Sequence, residues 1–497
     1  MAALLVWLAW LTVSLVSIYL LDLLTHSRSR RGLPPGPRPL PIIGSLHVLG
    51  AQPHRSLARL AKTHGPLMSL RLGTVTTVVV SSPAVAREIL QKHDAVFASR
   101  SVPDATGEHA RNSVPWLPNA PRWRALRRIM ASEVFAPHPL DALHGLRREK
   151  VAELVDHVGR LARAGAAVDV GRVVFTTGLN LLSRVGFSSD VADLDDLDEC
   201  KDFQGVCAEI MEVAGAPNVS DFFPALAAAD LQGARRRMAR LFGRLHRVID
   251  AEVDRRVRSR REAAAEPRKN DFLDVLLDEE DKAAGMDIDT IRALFTDLFA
   301  AGMNNITNTM EWAMVELLQN PSSMAKACDK LSRVIGSRRN VEEGETGDLP
   351  YLQAVINETL RLHPPAPLLL PRQADASIEV AGYMVPKGSR VLVNVWAMGH
   401  DEHIWPDPEK FTPERFLGRA VDFRGGEFEL IPFGAGRRIC LGMPLAIKLV
   451  HVILGSLLNQ FKWRLPADVE RNGVDMAEKF GVNVTKVVPV CAIATPV

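Results

Sequence analysis

Residues 433–442 read Phe433-Gly434-Ala435-Gly436-Arg437-Arg438-Ile439-Cys440-Leu441-Gly442. The pattern F-G-x-G-x-R-x-C-x-G fixes six of these positions, three of them glycine, around a single cysteine. At average residue usage such a match arises by chance in well under ~1 in 10,000 chains of this length. The spacing suits a buried thiolate bound to haem iron, a ligand that pushes electron density toward the metal and favours O–O cleavage. Glycines let the backbone approach a flat ring and adopt positive-φ turns that aim amide N–H groups at the sulfur. Those hydrogen bonds and a dry surrounding tune the iron. Cys440 would then be the metal ligand, with Phe433 shielding its sulfur, Arg438 reaching a haem propionate and Gly442 a further cofactor-binding position.

This loop resembles that of the cytochrome P-450 family, the haem-thiolate monooxygenases, and other segments strengthen the likeness. Asn357-Glu358-Thr359-Leu360-Arg361-Leu362-His363-Pro364-Pro365 is a helical pattern stopped by two prolines, with Glu358 and Arg361 one turn apart on one face. Pro413-Glu414-Arg415-Phe416 follows, and the order E-x-x-R, P-E-R-F, cysteine loop is far more specific than any one element. The resemblance implies a buried Glu358–Arg361–Arg415 network with a structural role. Trp123 and Arg127 are i and i+4 and share a helix face. They match a W-x-x-x-R pair that binds haem propionates, and Arg372 in Leu368-Leu369-Leu370-Pro371-Arg372 matches another propionate ligand. Arg124 and Arg128, roughly 100° further round the helix, would face solvent where an acidic flavin reductase docks.

The chain departs from the family at its centre. A long helical pattern spans Thr290–Leu318, and Ala301-Gly302 inside it invites local distortion. The family pattern there is A/G-G-x-D/E-T-T/S, whose acid and alcohol relay protons to the reacting oxygen. Here Asn304 holds the acid position, Asn305 the alcohol position, and Ile306 replaces the next hydroxyl. Asn hydrogen-bonds but does not titrate near neutral pH. Water ordered by Asn305, or a hydroxyl of Thr307, Thr309 or the substrate, must then contribute, or oxygen activation is poorly coupled. Residues 101–118, Leu368–Leu370 and Phe480–Val482 should line the distal cavity. They are mainly apolar, with Asp104, Glu108, His109 and Arg111 as exceptions, which suits a hydrophobic small molecule. Over nearly its whole length the chain looks most like plant microsomal members, particularly the geraniol-hydroxylase-like terpenoid-oxidising group and its grass diterpenoid branch.

Residues 2–21 carry no charge before Asp22. At 1.5 Å per residue twenty residues span about 30 Å, one bilayer core. No basic n-region or small-residue cleavage site marks a signal peptide, so residues 2–24 read as an uncleaved transmembrane anchor. Arg28, Arg30 and Arg31 follow it, which places the body in the cytosol. Residues 25–41 read as a basic and Pro-rich hinge, stiff and non-helical. The rest, 42–497, reads as one mainly α catalytic domain with a small β region. Its best strands are Leu67–Leu72, Thr76–Val80, Ile378–Val380 and Arg390–Val395. Lys150–Leu161, Leu231–Arg261 and Leu352–Leu362 join the central pattern as helices. The basic runs Arg235–Arg237 and Arg255–Arg261 read as a solvated helix face.

The chain has 497 residues, 47% apolar, with a net charge of +2. That balance argues against an electrostatic nucleic-acid binder. Five cysteines without C-x-x-C or zinc spacing fit a reducing compartment. The resemblance implies haem b as cofactor, NADPH-cytochrome P-450 reductase, membrane lipid and an apolar substrate as partners, and a single-pass endoplasmic reticulum location. It implies insertion of one oxygen atom from O2 into a terpenoid. The alternative is a haem-thiolate isomerase or dehydratase needing neither O2 nor reductase. Candidate catalytic residues are Asn304, Asn305 and Thr309.

Overall fold

The computed structural model describes residues 32–192, 194, 197–262, 269–281, 286–337 and 339–497, and four isolated positions before them. Apart from those four, the expected anchor 2–24 and the start of the hinge lie outside the described residues. The Pro-rich segment from Leu33 runs extended, without regular structure. It is fastened to the body, because Ser69 donates N–H and Oγ–H bonds to the carbonyls of Pro35 (2.8 Å) and Pro34 (2.6 Å). A Cβ on Gly36 would stand 1.9 Å from the Ser69 carbonyl oxygen, so only glycine fits.

The body is mainly helical. Its principal helices are α1 (Pro121–Met130), α2 (His144–Arg163), α3 (Val170–Phe187), α4 (Leu197–Gly215), α5 (Ala234–Glu262), α6 (Ile288–Gln319), α7 (Pro350–Leu362) and α8 (Met443–Gln460). Local chemistry sets their ends. Asp287 caps α6 by accepting from the Thr290 N–H, and Asn320 before Pro321 ends it. Asp169 caps α3 in the same way. Prolines start α1 and α7, where the missing N–H costs nothing. Helix α8 is long and apolar enough to cross a membrane by composition, yet most of it is buried among other helices, so it is a core element.

A five-stranded sheet comprises β1 (Leu67–Leu72), β2 (Val75–Val80), β3 (Ser99–Arg100), β4 (Arg372–Gln373) and β5 (Arg390–Val393), in the order β1-β2-β5-β4-β3. Strands β2 and β5 are parallel and the other pairs antiparallel. Ile378–Val380 forms a separate hairpin with Tyr383–Val385. Val395, expected to end a strand, instead enters the short helix Val395–Gly399, which Asn394 caps from the Ala397 N–H.

The basic runs on α5 are mainly solvent-facing, with Arg236, Arg237, Arg255 and Arg261 exposed, and Arg256 is the exception to that expectation. Arg256 is buried, 2.6 Å from Asp271 and 2.8 Å from Asp274, and Arg260 pairs with Asp274 and Asp278. The chain after α5 folds back and brings an acidic segment against it, a contact that helical periodicity alone does not reveal. The Glu358–Arg361–Arg415 network is present: Arg361 is bidentate to Glu358 at 2.7 and 2.8 Å, and Arg415 Nε reaches Glu358 at 3.0 Å. Both Glu358 and Arg361 are fully buried, and Arg361 spends its other donors on the carbonyls of Gly399, Pro408 and Lys410.

Candidate active site

The cysteine loop forms a tight hairpin in front of α8. Cys440 donates its N–H to the Phe433 carbonyl at 3.0 Å, and Gly434 and Gly436 have φ of 72° and 69°. A Cβ on Gly436 would meet the Leu90 carbonyl oxygen at 2.0 Å. Cys440 lies deep in the fold, yet its side chain has accessible surface, because it opens into an internal cavity of about 320 Å³. Burial raises its thiol pKa, while the Gly442 and Met443 amides and the Arg127 guanidinium oppose the rise. A cation on the sulfur would supply the stabilisation that the protein alone leaves short.

Four arginines converge on one side of this cavity: Arg100, Arg127, Arg372 and Arg438. Their hydrogen-bond partners are carbonyls: Arg438 donates to Ala98 (2.6 Å) and Leu117 (2.5 Å), Arg372 to Ala435 (3.0 Å), Arg127 to Ile439 (2.8 Å) and Arg100 to Leu370 (2.9 Å). Burial lowers all four pKa values, and mutual repulsion adds to this for Arg100 and Arg438. Arg438 is held to about 9 and Arg372 to about 10. Arg100 and Arg372 are direct cross-strand partners in β3 and β4, a destabilising like-charge pair unless an anion intervenes. Trp123 lies under the cluster, with Arg438 Cζ 3.9 Å and Arg127 Cζ 5.6 Å from its ring centroid, and its buried Nε1 has no partner among the described residues. Clustered guanidinia, an orphaned indole N–H and an amide-facing thiol fit a flat iron macrocycle carrying two carboxylates.

Helix α6 crosses the cavity, which Ala301, Gly302, Asn305 and Thr309 line. The helix is continuous through Gly302, without the expected distortion. Gly302 instead admits Leu182 of α3, whose Cδ1 lies 3.1 Å from where a Cβ would be. Asn304 is not among the lining residues; it is buried and donates to the Ala300 carbonyl at 3.1 Å. Asn305 Nδ2 donates to Ala301 at 2.8 Å, Asn483 Nδ2 stands 3.5 Å from Asn305 Oδ1, and Thr309 donates its hydroxyl proton to the Asn305 carbonyl at 2.8 Å.

Phe433, Arg438, Cys440 and Gly442 line the cavity together with Arg127 and Arg372, whereas Trp123 sits behind the arginines. Of the expected distal segments, Thr106, His109, Val114, Pro115, Trp116, Leu369, Leu370 and Val482 line it, while Phe480 stacks on His54 elsewhere. Asp104 pairs with Arg235, and Glu108 with Arg111 near the surface, leaving His109 as the polar exception that faces the cavity. Sequence reading missed Arg100, Asp297 and Asn483. Arg100 carries no local signal, since its position depends on the register of β3 with β4.

The model of the family described as Cytochrome P450 matches residues 34–487. Geraniol 8-hydroxylase of Catharanthus roseus is 48% identical over 97% of this chain and 99% of its own length. The enzyme of the same name from Swertia mussotii is 49% identical over 95% of each. Ferruginol synthase of Isodon rubescens is 44% identical over 96% of this chain and 97% of its own. With a cysteine loop, an arginine cluster and a family match that runs through both, the chain belongs to the cytochrome P450 family of monooxygenases.

Proposed function

We propose that this protein is a membrane-anchored haem-thiolate monooxygenase that inserts one oxygen atom from O2 into a terpenoid. The observation that carries this reading is Cys440 opening into an apolar cavity beside the Arg100–Arg127–Arg372–Arg438 cluster. Cys440 Sγ would hold the iron of haem b, and the four guanidinia with Trp123 Nε1 would hold its two propionates. Bound there, the haem would supply dioxygen activation, with electrons drawn from NADPH through a flavin reductase. Phe433 shields the thiolate, and the Gly442 and Met443 amides hold its charge. Apolar side chains such as Leu182, Ile210, Met238 and Phe242 exclude bulk water and receive the hydrocarbon. The relatives named for geraniol hydroxylation support the terpenoid class.

Proton delivery takes an altered form. Thr309 has committed its hydroxyl proton to the Asn305 carbonyl, and Asn305 cannot titrate. Water held between Asn305, Asn483 and the Thr309 oxygen is the proposed conduit. The same substitutions favour the second reading, a haem-thiolate isomerase or dehydratase. Residues 2–24 would anchor the protein in the endoplasmic reticulum membrane by one span, with the body cytosolic.

The test uses full-length protein in reductase-containing microsomes with geraniol and isotopically labelled dioxygen. Labelled product that depends on NADPH, reductase and dioxygen is expected. Unlabelled product formed without them would establish the second reading. Deleting residues 2–24 should release the protein from membranes with its haem spectrum intact; loss of haem would make the segment part of the fold.

A further inference from the structure

The cavity has a second polar end. Asp297 of α6 lines it, its carboxylate held by the Ser113 hydroxyl at 2.7 Å and the Val114 N–H at 2.8 Å. His109 lines the same region, with Nε2 3.5 Å from Asp297 Oδ1 and its ring stacked on Phe242 at 4.2 Å between centroids. Thr296, the neighbour of Asp297, also lines the cavity, and its buried hydroxyl has no partner among the described residues. Asp297 precedes Asn305 by eight residues on α6, about 12 Å along the axis at 1.5 Å per residue. Much of the remaining lining is apolar, so this group is set apart along α6 from Asn305.

Resting on the monooxygenase reading, we propose that His109, oriented by Asp297, and Thr296 form a hydroxyl-binding subsite that anchors a terpenoid alcohol by the end opposite the carbon to be oxidised. Asp297 already receives two protein donors and faces an imidazole, so it is a positioning residue and its charge is satisfied. A ring nitrogen of His109 and the Thr296 hydroxyl retain capacity for one neutral group that both donates and accepts. Burial and the neighbouring His109 hold His246 down to about 4, so His246 adds no cation to the subsite. A buried polar pair left unfilled by a hydrocarbon penalises that ligand, which is how such a subsite discriminates.

The experiment measures dissociation constants of the full-length holoenzyme for geraniol, geranyl methyl ether and geranylamine, by spectral titration and by equilibrium dialysis. The wild type should bind the alcohol roughly 10-fold more tightly than the ether, the scale of one well-made buried hydrogen bond. His109→Phe keeps a ring for Phe242 to stack on, and should weaken the alcohol to the level of the ether while leaving the ether unchanged. His109→Gln should restore part of the preference, and Thr296→Val should reduce it if His109→Phe does not fold. Equal affinity of alcohol and ether in the wild type overturns the proposal, as does an undiminished preference in His109→Phe. Tighter binding of the amine than of the alcohol, lost in His109→Phe and without the spectral signature of nitrogen bound to iron, would assign the site to cations and overturn the hydroxyl class. The reading beneath it fails separately: NADPH-dependent oxygenation together with equal affinity for alcohol and ether would leave the monooxygenase intact without the subsite. His109-dependent alcohol binding without oxygenated product would do the reverse.

Discussion

Cys440 sits at the balance of opposed effects: burial raises its thiol pKa, and two amides with Arg127 resist the rise. Without a cation the sulfur favours its proton, so loss of the thiol proton would accompany binding of the iron. Cys440→Ser should abolish the red-shifted Soret band of the reduced carbon monoxide complex, and retention of that band would place the ligand elsewhere. Asn305, with Asn304 and Ile306, departs from the family pattern and holds its alcohol position. General acid–base assistance is worth ~10²–10⁴-fold, so an amide in place of an alcohol should lower coupling. Asn305→Thr, alone or with Asn304→Asp, should raise product formed per NADPH on a hydrocarbon substrate and lower the hydrogen peroxide released. Equal, high coupling in the wild type and both variants would show that the Asn305–Asn483 pair already orders an effective water. Asn305 was legible as a departure, while its 3.5 Å approach to Asn483 was not, since 178 residues separate the two.

Helix α6 was legible almost to its ends, expected over 290–318 and found over Ile288–Gln319, because capping and apolar periodicity are local properties. What it packs against was not legible. Glycines of α3 face it closely: a Cβ on Gly178 would stand 2.4 Å from Met303 Sδ, and one on Gly171 2.8 Å from the Glu311 carboxylate. Glu311 is half-buried there, and desolvation raises its pKa to about 7, opposed only in part by the Val490 N–H at 3.2 Å and by Lys486. The unfolded chain ionises this group near pH 4.5, whereas the folded protein resists ionisation until about 7. Stability is therefore greatest at low pH in this window and is lost as pH rises from about 4.5 to about 7. Glu311→Gln should raise the melting temperature at pH 8, by up to about 3 kcal/mol of stability, and do little at pH 5. The same shift at both pH values would remove ionisation as the cause. The short strands β3 and β4 escaped the sequence reading, because two residues carry no usable alternation.

Across the whole molecule, α1 joins the cofactor site to the surface. Its buried face carries Trp123 and Leu126, Arg127 holds the cysteine loop at Ile439, and Arg124 and Arg128 are exposed on the far side. A positive surface beside the thiolate suits an acidic electron donor. Reversing both residues to Glu should raise the apparent reductase KM and weaken its salt dependence, with substrate-induced spectral shifts unchanged. Reductase titrations indistinguishable from wild type would move docking to another face. The hydroxyl-binding proposal belongs to this scale as well, since His109, Thr296 and Phe242 come from three separated segments.

The amino-acid sequence by itself determined the chemistry that spacing can encode. The thiolate loop, the E-x-x-R pair, the W-x-x-x-R helix and the altered Ala301–Ile306 stretch all depend on residues within a turn or two of each other, where backbone geometry sets the distances. Tertiary structure alone decided which distant groups share a site. Arg100 meets Arg372 through strand register, Arg256 finds Asp271 where the chain folds back, and Asp297 meets His109 across 188 residues. These meetings follow from which faces pack together to bury apolar surface, a choice made by the whole chain at once and written in no single segment.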